Sequence, residues 1–243
     1  MQQTLILGAT GAVGGVLARR LRADGQSVIL AGRRQDALDS LSKELDCPTV
    51  EFDARTPGSI TTAIETAHRD HGGLTGIVCA IGSILLKPAH RTSDEEWDDT
   101  IELNLTAAFR TVRAAAAKVR SNASVVLVSS AAARLGMANH EAIAAAKAGI
   151  EGLTRAAAAS YASRNLRINA VAPGLVDSTM AEPITKNEMV LKASTAMHAL
   201  GRIGTPEDVA SAIAWLVSPE SSWVTGQVLG VDGGLGSVLS RRR

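Results

Sequence analysis

The sequence is short of aromatic residues and cysteine and has almost no charge imbalance, and each shortage excludes something. Six aromatic side chains occur, Phe52, Trp97, Phe109, Tyr161, Trp215 and Trp223, so the core has to be built from Ala, Val, Leu and Ile, with helices packed through small side chains. Cys47 and Cys79 are too few for a disulfide framework or a cysteine metal cluster. They read as reduced, buried thiols of a cytoplasmic protein, and no metal is expected. Lys and Arg number 25 against 24 Asp and Glu, a formal charge of +1, which argues against nucleic acid or an anionic membrane as the partner. No stretch approaches the ~20 apolar residues of a membrane span. Residues 1–8 lack a basic region and break at Gly8 before an apolar core, so they do not read as a signal peptide. Arg241, Arg242 and Arg243 read as a solvated tail.

What is present is an ordinary globular composition, 46% hydrophobic and 20% charged over 243 residues, with no linker, repeat or low-complexity segment. One domain spanning 1–243 is expected. Short apolar runs at 4–7, 27–31, 49–52, 76–80, 124–129, 166–172 and 227–231 alternate with longer helical stretches. Their unbroken apolar character suits strands buried on both faces, and the alternation predicts an α/β fold, a doubly wound parallel seven-stranded sheet of the Rossmann type. Helix starts are marked by Thr56-Pro57, by Thr205-Pro206 and by the capping box at residues 93–96. Alanine-rich stretches at 114–117, 144–146 and 156–159 offer smooth surfaces for helix contacts within one subunit or between subunits.

The first run leads into Gly8-Ala9-Thr10-Gly11-Ala12-Val13-Gly14-Gly15, followed by a helix expected over 16–23. Glycines after a strand and before a helix allow a tight turn and a close backbone approach, while the helix start offers unpaired N–H groups and a positive dipole end to a dinucleotide pyrophosphate. Gly8, Thr10, Gly11, Val13 and Gly14 are therefore candidate cofactor contacts. The second run ends at Gly32-Arg33-Arg34, where a site for NAD would carry an acid against the ribose 2′-hydroxyl. A basic residue there pairs with a 2′-phosphate, so Arg33 favours NADP(H) over NAD(H). Asp53, just after the third run, is a candidate for the adenine amino group.

Further along, the chain resembles the short-chain dehydrogenase/reductase family, in particular its single-domain branch that includes the 3-oxoacyl-carrier-protein reductases. The likeness extends over essentially the whole length. It rests on the segments 97–105, 125–130, 146–149, Arg167-Ile168-Asn169-Ala170-Val171-Ala172-Pro173-Gly174, 201–209 and 225–234. The resemblance implies that Asn104 serves a proton relay and that Ser130 hydrogen-bonds the substrate oxygen. It implies that Lys147 holds the nicotinamide ribose, that Pro173 and Gly174 lie beside the nicotinamide, and that Val176 offers backbone contacts to the carboxamide, with Ser178 or Thr179 near it and the phosphates. It also implies a substrate lid at about 180–200, a small-molecule substrate and a homo-oligomer, tetramer or dimer.

One departure matters. The family's proton donor is a tyrosine four residues before the lysine, and counting back from Lys147 gives Ile143. Thirteen residues after Ser130, the family's usual spacing, is again Ile143. Tyr161 lies fourteen residues beyond Lys147, roughly 21 Å along a helix axis. Cys79-Ala80-Ile81-Gly82 stands where the family usually has Asn-Asn-Ala-Gly, so the bracing of Asn104 is expected to be weakened. Isoleucine donates no proton, and a missing acid forfeits a factor of roughly 10²–10⁴. His140, one helical turn before Ile143, is the candidate stand-in; the plainer reading is a histidine at the helix entrance after Asn139. Lys147, or a water held by Ser130 and Asn104, are further candidates. The expectation is an atypical NADP(H)-dependent oxidoreductase acting on a small carbonyl or alcohol; the alternative is a silenced NADP(H)-binding sensor or assembly subunit.

Overall fold

The computed structural model describes residues 2–119 and 122–239; the arginine tail at 241–243 lies outside the described residues. Seven strands, β1 Gln3–Leu7, β2 Ser27–Gly32, β3 Thr49–Glu51, β4 Gly76–Cys79, β5 Ala123–Val128, β6 Leu166–Pro173 and β7 Val228–Val231, form one sheet in the order 3-2-1-4-5-6-7. Every pairing is parallel. The helices are α1 Ala12–Ala23, α2 Gln35–Leu45, α3 Ser59–Asp70, α4 Asp94–Ile101, α5 Ala107–Lys118, α6 Glu141–Tyr161, α7 Glu182–Thr185, α8 Glu188–Met197 and α9 Pro206–Val217. The Rossmann-type, doubly wound α/β architecture is the one the sequence predicts. Among the described residues no helix is long and apolar enough to cross a membrane.

The two-residue period of the strands divides the core in two. Leu5, Leu7, Ile29, Ile77, Val125, Leu127 and Ile168 point to one face and pack with α3, α5 and α6 through Ile60, Ile64, Val112, Ala115, Ile150 and Ala157. Ile6, Val28, Leu30, Val78, Val126 and Val171 point to the other and pack with α1, α2 and α9 through Leu17, Leu21, Leu38, Val209 and Ile213. Ala114, Ala115, Ala116, Ala157 and Ala158 are buried within the subunit, so much of the alanine richness is explained by packing against the chain's own sheet. Cys47 and Cys79 are free and buried.

Two helix starts differ from expectation. Helix α1 begins at Ala12 rather than 16, with Gly11 at its N-cap, so Val13, Gly14 and Gly15 belong to its first turn. Helix α3 begins at Ser59 after Gly58 (φ 83°), not at Thr56-Pro57. Asp53 takes over that stretch: its carboxylate accepts from the Arg55 N–H at 3.0 Å and its carbonyl from the Thr56 N–H at 3.0 Å, which makes a turn where a helix start was expected. Ser93 and Thr205 do form capping boxes, with Glu96 and Asp208.

Strand β1 lies inside the sheet, between β2 and β4. The chain winds outward through β2 and β3, then returns to place β4 on β1's other side, so a crevice opens at the carboxyl ends of β1 and β4, the usual ligand position in such sheets. The edge strand β7 is tied on by Asn169 of β6, which is fully buried. Its side-chain amide donates to the Val224 carbonyl at 2.9 Å and accepts from the Gln227 N–H at 3.0 Å. Asn169→Ala leaves both groups unpaired and is expected to lower stability by about 2–4 kcal/mol, read as a fall in the urea midpoint at unchanged slope.

Candidate functional site

The turn after β1 is closed by backbone. Gly8 (φ 91°) and Ala9 donate N–H bonds to the Ala31 carbonyl at 2.8 and 3.0 Å. A Cβ on Gly8 would lie 2.8 Å from the Ala80 oxygen, and one on Gly14 would lie 2.3 Å from the Gly8 oxygen. Glycine is therefore required at both places. No side chain caps α1, so the N–H groups of its first turn are open to an anion. Beside the turn, Arg34 reaches back to donate to the Thr10 carbonyl at 3.1 Å and, with Thr10 and Arg19, lines an open groove between α1 and α2. Arg19 is paired there with Glu44 at 2.6 Å. Arg33, the residue singled out from the sequence, is exposed, and no hydrogen bond holds it among the described residues.

Asn104 sits in a five-residue π-helical segment, Glu102–Thr106, between α4 and α5. The Ala107 N–H bonds back to Glu102, and the Thr100 carbonyl accepts from the Asn104 side-chain amide at 2.9 Å. Ser83 completes the bracing: its hydroxyl accepts from the same amide at 3.1 Å, and its N–H donates to the Asn104 oxygen at 3.3 Å. Asn104 is thus held firmly although Cys79 and Ala80 offer it no side-chain support, and Ser83, which sequence reasoning passed over, is the reason. A Cβ on Gly82 would come within 2.9 Å of the Asn104 oxygen and 3.5 Å of the Lys147 ammonium nitrogen. These groups therefore face one glycine-sized space.

Helix α6 carries the rest. Lys147 is 7% exposed and donates to the Val128 carbonyl at 2.8 Å. Burial pushes its pKa down to about 8. Ser129 donates to the Lys147 carbonyl at 3.1 Å, and Glu151, one turn on, accepts from the Arg134 Nε at 2.9 and 3.0 Å. These bonds clamp the segment after β5, including Ser130, onto α6. Ser130 Oγ accepts from the Ala132 N–H at 3.2 Å, which leaves its hydroxyl proton free to donate. Ile143 lies one turn before Lys147 and is buried. Tyr161, at the far end of α6, packs against the core and under the Arg164 guanidinium, 5.7 Å from its ring centre.

Two cavities meet at Ile143. The first, about 250 Å³, runs from Gly11, Val13 and Gly14 past Ser130 and Lys147 to Pro173, Gly174, Val176 and Ser178. The second, about 200 Å³, lies beyond Ser130 and Ile143 and is walled by Ile84, Leu86, Met137, Ile184, Val190 and Met197. His140 and His198 also line it. His140 is the N-cap residue of α6. Its Nδ1 lies 2.8 Å from the Ala138 carbonyl, which can only accept, so Nδ1 carries the proton and Nε2 is left as the free nitrogen. His198 has no such freedom: Nδ1 donates to the Ser194 carbonyl at 2.7 Å and Nε2 accepts from the Leu175 N–H at 3.2 Å. A Cβ on Gly174 would stand 2.6 Å from that Nε2, so the histidine is packed hard against the turn.

The fold therefore brings together Gly11, Val13, Gly14, Ser130, Lys147, Pro173, Gly174, Val176 and Ser178 along one groove, with Asn104 behind it and His140 beside it. Gly8 lies beneath the turn, and Thr10 faces the neighbouring groove. Asp53 lines neither cavity; its carboxylate is engaged in its own turn. The apolar walls of the second cavity come from five separate segments, and no local pattern signals their meeting.

A family model described as enoyl-(acyl carrier protein) reductase matches residues 8–236. The chain is similar to the 3-oxoacyl-(acyl-carrier-protein) reductase FabG of Rickettsia felis, 35% identical with 96% of this chain and 95% of the relative covered. Among solved structures it is similar to a short-chain type dehydrogenase/reductase from Mycobacterium ulcerans, at TM-score 0.92 and 27% identity over 98% of this chain and 91% of the other. It is also similar to a putative gluconate dehydrogenase from Agrobacterium tumefaciens, at TM-score 0.91 and 28% identity over 98% and 97% of the two chains. With fold, strand order and the glycine turn in agreement, the chain belongs to the short-chain dehydrogenase/reductase family of oxidoreductases.

Proposed function

We propose that this protein is an NADP(H)-dependent reductase or dehydrogenase of a small carbonyl or alcohol in which the usual tyrosine proton donor is replaced by Ile143 and acid–base work passes to His140. The observation that carries the reading is the single groove from the uncapped start of α1 to Ser130 and Lys147, continuing past Ile143 into a second cavity. The glycine turn fits a pyrophosphate: the amides at the start of α1 are open, and Gly8 and Gly14 have no room for a Cβ. Lys147 would hold the ribose hydroxyls. Gly174, Val176 and Ser178 would border the nicotinamide, and residues 180–200 would cover the substrate. When bound, the nicotinamide supplies or accepts a hydride.

Ser130 donates its free proton to the substrate oxygen, while Asn104, locked by Ser83 and Thr100, lies close to Lys147 across Gly82 and can hold a relay water. With Nδ1–H fixed on Ala138, neutral His140 presents a lone pair at Nε2 and can take the proton of an alcohol; only its imidazolium form can give a proton to a ketone. Arg34, beside the Thr10 carbonyl, and exposed Arg33 support a 2′-phosphate subsite in the groove between α1 and α2.

Three outcomes are expected. NADPH binds more tightly than NADH, and Arg34→Ala removes most of that margin in a fluorescence titration; equal affinity for both coenzymes in the unsubstituted protein would refute the 2′-phosphate subsite. Because the Lys147 ammonium loses its proton near pH 8, coenzyme affinity falls as pH rises from 7 to 9, and Lys147→Met gives a weaker but flat profile. His140→Ala lowers turnover by about 10²-fold or more in both directions. Unchanged turnover in that variant sinks the His140 role. Coenzyme binding without turnover on any carbonyl, with activity created by Ile143→Tyr, would instead show a silenced protein.

A further inference from the structure

We propose that the second cavity is a site for apolar alcohols and ketones with one oxygen function and that it excludes polyols and carboxylates. The inference rests on the oxidoreductase reading for its chemistry, but it stands on the cavity wall. Among the described residues no Asp, Glu, Lys or Arg lines that wall. Ile84, Leu86, Met137, Ile143, Ile184 and Val190 supply most of its surface.

The polar groups are few and most are already engaged. Both His198 nitrogens are used, by Ser194 and Leu175. The Ser130 hydroxyl proton and the His140 Nε2 remain, one donor and one acceptor, and the Ser194 hydroxyl on α8 is the other open side-chain group. A single hydroxyl or carbonyl group satisfies the Ser130–His140 pair. A polyol has more hydroxyls than these side chains can match, and each one left over loses its water without a side-chain partner, a loss on the order of tenfold in affinity per group. Among the described residues no Lys or Arg lines the wall to pair with a carboxylate, which would give up its water for an apolar surround. Of the lining residues, Ile84, Leu86 and Met197 are also exposed and extend the apolar wall outward. A chain longer than the cavity would lie along this rim.

The test separates binding from turnover. A series of 2-alkanones from butanone to octanone is titrated calorimetrically into the protein saturated with oxidised coenzyme, a pairing that cannot react. Ribitol and gluconate are titrated with reduced coenzyme, equally unreactive. Affinity for the ketones is expected to rise about fourfold per methylene, with no saturable binding of ribitol or gluconate. Val190→Asp, on the exposed α8, is expected to weaken 2-octanone at least tenfold and to leave coenzyme affinity unchanged. Ribitol or gluconate binding as tightly as 2-octanone, a ketone series without length dependence, or an unaffected Val190→Asp variant would each overturn the inference. Length-dependent ketone binding without turnover would support this site and refute the redox reading alone; turnover of a polyol would do the reverse.

Discussion

The carboxyl edge of the sheet is crowded to the point where a methyl group does not fit, and the site follows from that crowding. Gly8 meets the Ala80 backbone, Gly14 meets Gly8, Gly82 meets Asn104 and Gly174 meets His198, each at a separation below 3 Å for an added Cβ. Three loops, after β1, β4 and β6, and the first turn of α1 therefore converge, with backbone facing backbone at Gly8 and Gly14 and backbone facing a side chain at Gly82 and Gly174. The space left between them is a groove whose walls are amide groups and small side chains, suited to a flat, phosphorylated ligand.

Helix α6 supplies what the groove lacks. Successive turns bring His140, Ile143, Lys147 and Glu151 along one side of the helix, so a single rigid element sets the depth of each. Glu151 fixes Arg134 and with it the segment behind Ser130; Lys147 is buried and anchored on Val128; Ile143 stands between the groove along the glycine turn and the second cavity. An isoleucine at that boundary contributes shape and no proton. One turn toward the helix start, His140 is held in one tautomer by the Ala138 carbonyl.

Most of the architecture was legible because buried parallel strands have to be apolar on both faces, and runs such as 4–7 and 124–129 announce this directly. The Ser93 and Thr205 caps were equally plain. The start of α1 was less so: the glycines that signal a turn also hide the first helical turn they occupy, because glycine carries little helix preference of its own. At Thr56-Pro57 a strong local signal lost to Asp53, whose side chain formed a competing turn. Asn104 looked unsupported because its expected partners after β4 were absent, yet Ser83 holds it from both sides of its amide.

By itself, the sequence determined the strand pattern and the glycine turn, and it put forward Ser130, Asn104 and Lys147 as site candidates with Ile143 four residues before the lysine, since these depend on residue type and spacing along the chain. Only the tertiary structure decided that Arg34 rather than Arg33 reaches the turn, that His198 is saturated while His140 keeps a free nitrogen, and that apolar residues from five separate segments close one uncharged cavity. These are facts of convergence. A hydrogen-bond partner or a cavity wall is set by distance in space, and residues as far apart as Ile84, Ile143, Val190 and Leu235 leave no shared period in the sequence to reveal that they meet.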